Sequence, residues 1–316
     1  MAKRTSAQRL AGRRKSLRRP KNPKTPIEAI LKTEARVRAA NSAGRAGVKE
    51  SRIGRPPHTS RRGWRELRRM GVRSPGYKAV KTHSRFVKRF ANEVAKRWNQ
   101  NAVSKGRVRG AKVDRGLVNQ AALTHDFRRD FTEQDKQAQF YAAQLGATRL
   151  ARILGTGDSW TPKTRRIWSL EKNIVALSDT VCRGIKVGNN FVNGIVPMEK
   201  AFKLLVSQRF LNPANVDALV LERLAQVEFA AQLKKAGVNI DSIIKEQMVH
   251  NPKAFMPAVN AQIKHVSELM LAEKIAQSLL KLGLEDEYKK LVPPDSSLGR
   301  RLDRELRTIR LEKKRR

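Results

Sequence analysis

Most of the net charge of +40 on these 316 residues sits in the first third of the chain, and a segment so charged cannot collapse into a core of its own. Residues 1–116 hold 35 Lys and Arg against 6 Asp and Glu, a net +29. Residues 117–298 hold 24 against 19, a net +5, and residues 299–316 hold 9 against 3, a net +6. Like charges at that density repel one another. The first 80 residues also carry too few large apolar side chains to offset the entropy of ordering. The composition therefore predicts an all-α protein with a long basic, largely extended N-terminal region bearing short helices. The expected divisions are a basic arm over 1–80, a basic amphipathic helix and linker over 81–116, an all-α domain over 117–292, and a basic C-terminal helix or tail over 293–316.

A surplus of this size needs an anionic counterpart. Each phosphate neutralised by Lys or Arg releases a condensed counterion, so a basic arm gains affinity for nucleic acid without reading its sequence. A solvated tail and an anionic membrane surface are the alternatives. The residues expected to contact phosphate in the arm are Arg13, Arg14, Lys15, Arg18, Arg19, Lys21, Arg61, Arg62, Arg68 and Arg69, with Trp64 and Tyr77 as candidates for stacking on unpaired bases. Within the arm, Thr25-Pro26 opens a short helix to Ala40, and residues 61–70 form another.

The segment from Thr82 to Trp98 has the clearest two-faced pattern. At 100° per residue, Phe86, Val87, Phe90, Val94 and Trp98 fall on one side and Arg85, Lys88, Arg89 and Lys96 on the other. One face packs and the other meets an anion, or is simply a basic surface.

Beyond residue 117 the charge balances and helical periodicity takes over. A helix is expected over 133–154, with Thr132 as N-cap and Glu133 and Asp135 in its first turn. Thr161-Pro162 opens the next, in which Ile167, Leu170, Ile174, Leu177 and Val181 follow the 3-4 spacing of a seam. Gly and Asn between β-branched residues over 182–196 predict a small hairpin or a long loop. Helices follow at 197–211, 214–236, 240–249, 254–282 and 285–291, with Gly237 and Gly283 as left-handed C-terminal caps. Pro293-Pro294 ends the body. Leu298, Leu302, Leu306 and Ile309 then form a stripe with Arg300, Arg304 and Arg307 beside it, before Lys313-Lys314-Arg315-Arg316.

Signatures of chemistry are sparse. His58, His83, His125, His250 and His265 are scattered, and none pairs with another at metal-ligand spacing. Gly155-Thr156-Gly157-Asp158 lacks the Gly-Lys-Ser/Thr of a phosphate loop and reads as a turn. Asp126 and Asp130 are one helical turn apart, as a metal-dependent nuclease needs, but Arg128 and Arg129 between them explain the pair as ion pairing. Cys182 has no neighbouring base and reads as a buried structural thiol. Residues 227–244 have the outline of a helix-turn-helix, in which Asn239, Asp241 and Ser242 would lead into a groove; the acidic Asp241 favours an αα-hairpin in the core instead.

The sequence thus leads to the expectation of a non-catalytic nucleic-acid-binding protein, with no catalytic residue, no cofactor and no metal. RNA and DNA are both open, with protein contacts through the helical domain. A structural component of a ribonucleoprotein, ribosome-like or nucleocapsid assembly is the first reading. A phage or mobile-element DNA-binding accessory using residues 227–244 is the second. The lone cysteine and the absence of a long apolar run point to an intracellular protein, cytoplasmic or virion-associated, without a membrane partner. The Arg- and Ser-rich beginning is equally compatible with an organellar address.

Overall fold

The helix expected at 82–98 spans Tyr77–Arg97 (α1) and runs on into one π turn, Trp98–Val103, in a computed structural model that describes residues 77–103, 112–126, 139, 142, 148–154, 160–187, 190–208, 213–264 and 267–315. The expected basic arm with its two short helices, most of the helix at 133–154, and the Gly155–Asp158 turn lie outside the described residues. No Gly or Pro interrupts α1, and its apolar positions recur every three or four residues. Val87, Phe90, Ala91, Val94, Ala95 and Trp98 are accordingly buried, while Arg85 and Arg89 are exposed. Asn99 clasps the strand of chain that follows: its Nδ2 donates to the Val113 carbonyl at 3.0 Å and its Oδ1 accepts from the Val113 N–H at 2.8 Å.

Helix α2 spans Arg115–Thr124 behind an Asp114 N-cap that accepts from the Leu117 N–H at 3.0 Å. Helix α3 spans Thr148–Leu154. Thr161-Pro162 does open a helix, locked by reciprocal bonds between Thr161 and Thr164. The single helix expected from there to residue 181 is two, however: α4, Pro162–Ile167, and α5, Leu170–Val181. Trp168 takes an extended backbone and Ser169 caps α5. The buried Asn173 holds the break, donating to the carbonyls of Arg165 at 2.9 Å and Ser169 at 3.1 Å while accepting from Trp160 Nε1 at 2.9 Å. Ile167 therefore leaves the seam and is 75% exposed, whereas Ile174, Leu177 and Val181 are buried.

Of the hairpin and the loop open at 182–196, the chain forms the hairpin. Strands β1, Cys182–Val187, and β2, Asn190–Ile195, pair antiparallel with Cys182 opposite Ile195 and Val187 opposite Asn190. Asn251 finishes the free side of Ile195, accepting from its N–H at 2.8 Å and donating to its carbonyl at 2.7 Å. Gly194 is needed for close approach, since a Cβ there would stand 2.4 Å from the Phe255 ring.

The remaining elements are α6 (Met198–Gln208), α7 (Pro213–Lys235), α8 (Ile240–Met248), α9 (Phe255–Lys264), α10 (Glu268–Leu282), a 3-10 turn at Glu285–Glu287, α11 (Tyr288–Leu291) and α12 (Ser297–Arg315). The helix expected over 254–282 is again two, because Ser267 leaves the helical region at ψ 124°. Gly237 and Gly283 end their helices at φ 82° and 66°. Each is followed by an N–H that reaches back across the cap, Val238 to Leu233 and Leu284 to Leu279, both at 2.8 Å. Among the described residues the fold is thus all-α apart from one two-stranded sheet.

Two large apolar cores result. The first gathers α1, α2, α3, α5, α8 and the second half of α7; the second gathers α6, the first half of α7, α10, α11 and α12. A small third cluster packs Phe255 and Val259 under the hairpin. Helix α7, about 34 Å long from its 23 residues, runs through both large cores, which is why its apolar residues are not confined to one face. Buried Arg223 fastens it, donating from Nε to the Leu291 carbonyl at 3.1 Å and from Nη1 to Gln226 Oε1 at 2.6 Å. Burial draws its pKa down to about 10. No described helix is long and apolar enough to cross a membrane.

Candidate functional site

Two helices present basic residues outward. On α1 the amphipathic twist fixes the outer face by turning Val87, Phe90 and Val94 inward. Arg85 and Arg89 are exposed there, with the Arg89 guanidinium 5.9 Å from the Phe86 ring centre. Lys88 is half-buried, and Lys96 is partly exposed with its Nζ 3.5 Å from Glu93 Oε2. Of the four cations expected to form one face, Arg85 and Arg89 are the exposed pair. Tyr77 begins α1. Arg13, Arg14, Lys15, Arg18, Arg19, Lys21, Arg61, Arg62, Trp64, Arg68 and Arg69 lie outside the described residues. On α12, Leu298, Leu302 and Leu306 are buried and Arg300, Arg301, Arg304, Arg307 and Arg310 are exposed. Several of these are engaged locally, Arg307 with Asp303 at 2.7 Å and Arg310 with Asp286 at 3.0 Å.

The inner side of α1 holds a second arrangement, which corrects the reading of the histidines as scattered. His83 lies in the first half of α1, His125 and Asp126 close the C-terminal end of α2, and Asp179 lies in the last turn of α5. Packing of α1 against α2 and α5 brings all four together. His83 Nε2 donates to Asp179 Oδ1 at 2.9 Å and stands 3.4 Å from Asp126 Oδ2. His125 Nε2 donates to the same Asp179 Oδ1 at 3.2 Å and stands 3.8 Å from Asp126 Oδ2. The two imidazole centres are 5.4 Å apart. His83 and Asp126 are buried, with side chains 5% and 6% exposed, while Asp179 at 40% opens the cluster to solvent.

Burial opposes charge on His125, but Asp126 and Asp179 outweigh it and push its pKa up to about 9. Its Nδ1 donates to the Ala122 carbonyl at 2.9 Å, so both ring nitrogens are engaged. Burial likewise opposes charge on Asp179, and the bonds from His125 and His83 hold its carboxyl well below the usual range. The cluster is therefore an ion-paired network with His125 as its cation. Cys182, one turn beyond Asp179, is fully buried, and burial followed by the Asp179 charge raises its thiol well above the ordinary value. A buried thiol held protonated in this way is a poor nucleophile, in keeping with the expectation of a buried thiol without a neighbouring base.

At 227–244 the chain forms an αα-hairpin, α7 to α8, with Leu233, Ala236, Val238, Ile240, Ile243 and Ile244 buried. Asn239 is spent as the N-cap of α8, accepting from the Ser242 N–H at 3.3 Å. Asp241, Lys245 and Glu246 make its exposed side, and Glu246 pairs with Arg97.

One trace of the cluster was legible in the sequence. His83 continues the apolar row of Val87, Phe90 and Val94 one turn earlier, a position where a polar side chain must find a partner. Asp179 carried no such trace, because it lies off the Ile174, Leu177 and Val181 seam. Compared with models of protein families, with curated proteins and with solved structures, the chain matches none of them.

Proposed function

We propose that this chain is a non-catalytic nucleic-acid-binding protein, in which the basic N-terminal region neutralises phosphate backbone and the helical body makes protein contacts. The observation that carries this reading is the net +29 confined to residues 1–116, against +5 over the next 182 residues. Residues 117–298 are nearly neutral and contribute little long-range attraction of their own, so affinity belongs to the basic residues that precede them, in the arm and on the outer face of α1. The exposed Arg85 and Arg89 on α1 support a fixed docking point. An intracellular structural role in a ribonucleoprotein, ribosome-like or nucleocapsid assembly follows from charge-driven, sequence-independent binding. A groove-reading role for α8 is less favoured, because its exposed side offers Asp241 and Glu246 against Lys245 and its capping asparagine is already occupied.

Salt titration tests the proposal. Affinity of the whole chain for a nucleic acid of arbitrary sequence falls with salt at a slope of about 0.7–0.9 per phosphate neutralised. Removing residues 1–60 is expected to weaken binding and flatten that slope. Replacing Arg85 and Arg89 with Ala weakens it to a smaller, sequence-independent degree. A slope unchanged by the deletion would overturn the assignment.

A further inference from the structure

We infer that His83, His125, Asp126 and Asp179 form a binding site for one divalent transition-metal ion of the zinc class, which ties α1, α2 and α5 together. The inference is independent of nucleic-acid binding and rests on how the four side chains converge. Two imidazole Nε2 atoms and an Asp126 carboxylate oxygen lie within 4.8 Å of one another, and Asp179 Oδ1 lies 2.9 and 3.2 Å from the two nitrogens. The four nitrogen-to-oxygen separations are 2.9, 3.2, 3.4 and 3.8 Å. Ligands at about 2.0–2.1 Å from a tetrahedral zinc stand about 3.3–3.4 Å from one another, in the middle of that range. Asp179 stands outside that group of three and completes the set by turning its carboxylate toward Asp126.

The supporting shell fits at His125. A ligating histidine almost always donates its other N–H to a carbonyl or carboxylate, which fixes the ring and leaves the opposite nitrogen for the metal. His125 does this, with Nδ1 bonded to the Ala122 carbonyl at 2.9 Å. His83 is 4% exposed and its Nδ1 has no partner among the described residues, so its Nε2 contacts are the ones that offset its burial. Two carboxylates neutralise a divalent ion, so the loaded site is not a buried net charge. The donor set of two imidazoles and two carboxylates suits zinc and its first-row neighbours; calcium and magnesium favour six or more oxygen ligands. The partly exposed Asp179 supplies the entry side. With all four positions taken by protein, the role is structural: one ion joins three helices of the first core.

The test uses the full-length chain without an affinity tag, freed of nucleic acid, stripped with a chelator and titrated with ZnCl2 and with CoCl2. One zinc per chain is expected, with a Co2+ spectrum of four-coordinate intensity and a thermal midpoint that rises with free zinc. Asp126→Asn and His83→Gln are each expected to weaken zinc binding by more than the roughly 10–100-fold lost with an outer-shell partner. His250→Gln, at an exposed histidine outside the cluster, is expected to leave it unchanged. No zinc taken up by the folded wild-type chain, or uptake as tight in Asp126→Asn and His83→Gln, overturns the site. Should those variants fail to fold, the Co2+ spectrum of the wild type decides, a six-coordinate aquo spectrum counting against it.

Discussion

The core around α1 carries two histidines and two aspartates at its edge, whereas the core around α10 and α12 is closed by Leu271, Ile275, Leu279, Leu298 and Leu302, with Arg223 beside it. In the second core, ion pairs stay outside, as at Lys281–Asp217 and Arg310–Asp286, where solvent screens them and each contributes about 0–1 kcal/mol. In the first core, Asp126 and His83 are taken out of water, which is costly for polar groups unless close partners offset it. The second core buries a single cation, Arg223, satisfied by the Leu291 carbonyl and Gln226, whereas the first gathers four ionisable side chains at one point. The contrast teaches where to look for chemistry in a chain with few motifs: at the place where packing brings several ionisable groups together.

The largest effect should come from the purely apolar side. Leu279→Ala, at a fully buried position of the second core, is expected to lower stability by about 2–5 kcal/mol in denaturant unfolding, and by the same amount with and without zinc. A loss that depends on zinc would mean the two cores are not energetically separate. Next, the metal-free chain should show the first core's dependence on pH. His125 has a folded pKa of about 9, above the ordinary 6.5, so its contribution is fully present below pH 6.5 and is lost as pH rises through 9. The loss is on the order of 3 kcal/mol, and His125→Gln should flatten the curve. A parallel decline in the variant would place the titration elsewhere. Smaller still, Gly194→Ala drives a methyl into the Phe255 ring beneath the hairpin and should cost about 1–3 kcal/mol, read by thermal unfolding. Full stability of that variant would indicate a hairpin that packs more loosely on α9 than its contacts suggest.

Features governed by neighbours in sequence were legible. The two faces of α1, the caps at Gly237 and Gly283, the Thr161-Pro162 start and the stripe of Leu298, Leu302 and Leu306 all depend on residues within one or two turns. The breaks at Trp168 and Ser267 were missed because apolar spacing runs on through both. What ends α4 is a single buried amide, Asn173, reaching three carbonyls and an indole. The even apolar distribution of α7 read as an ordinary helix, yet it reflects service to two cores at once.

By itself the sequence determined the charge division, the helical class and most helix ends, because electrostatic surplus and local periodicity are additive properties of short stretches. Only the tertiary structure decided which ionisable groups meet. His83 and Asp179 are 96 residues apart and His125 and Asp179 are 54 apart, and no local spacing encodes distances set by how α1, α2 and α5 pack. Coordination chemistry acts over a few ångströms of space, so it becomes visible only after the chain has brought those side chains to one point.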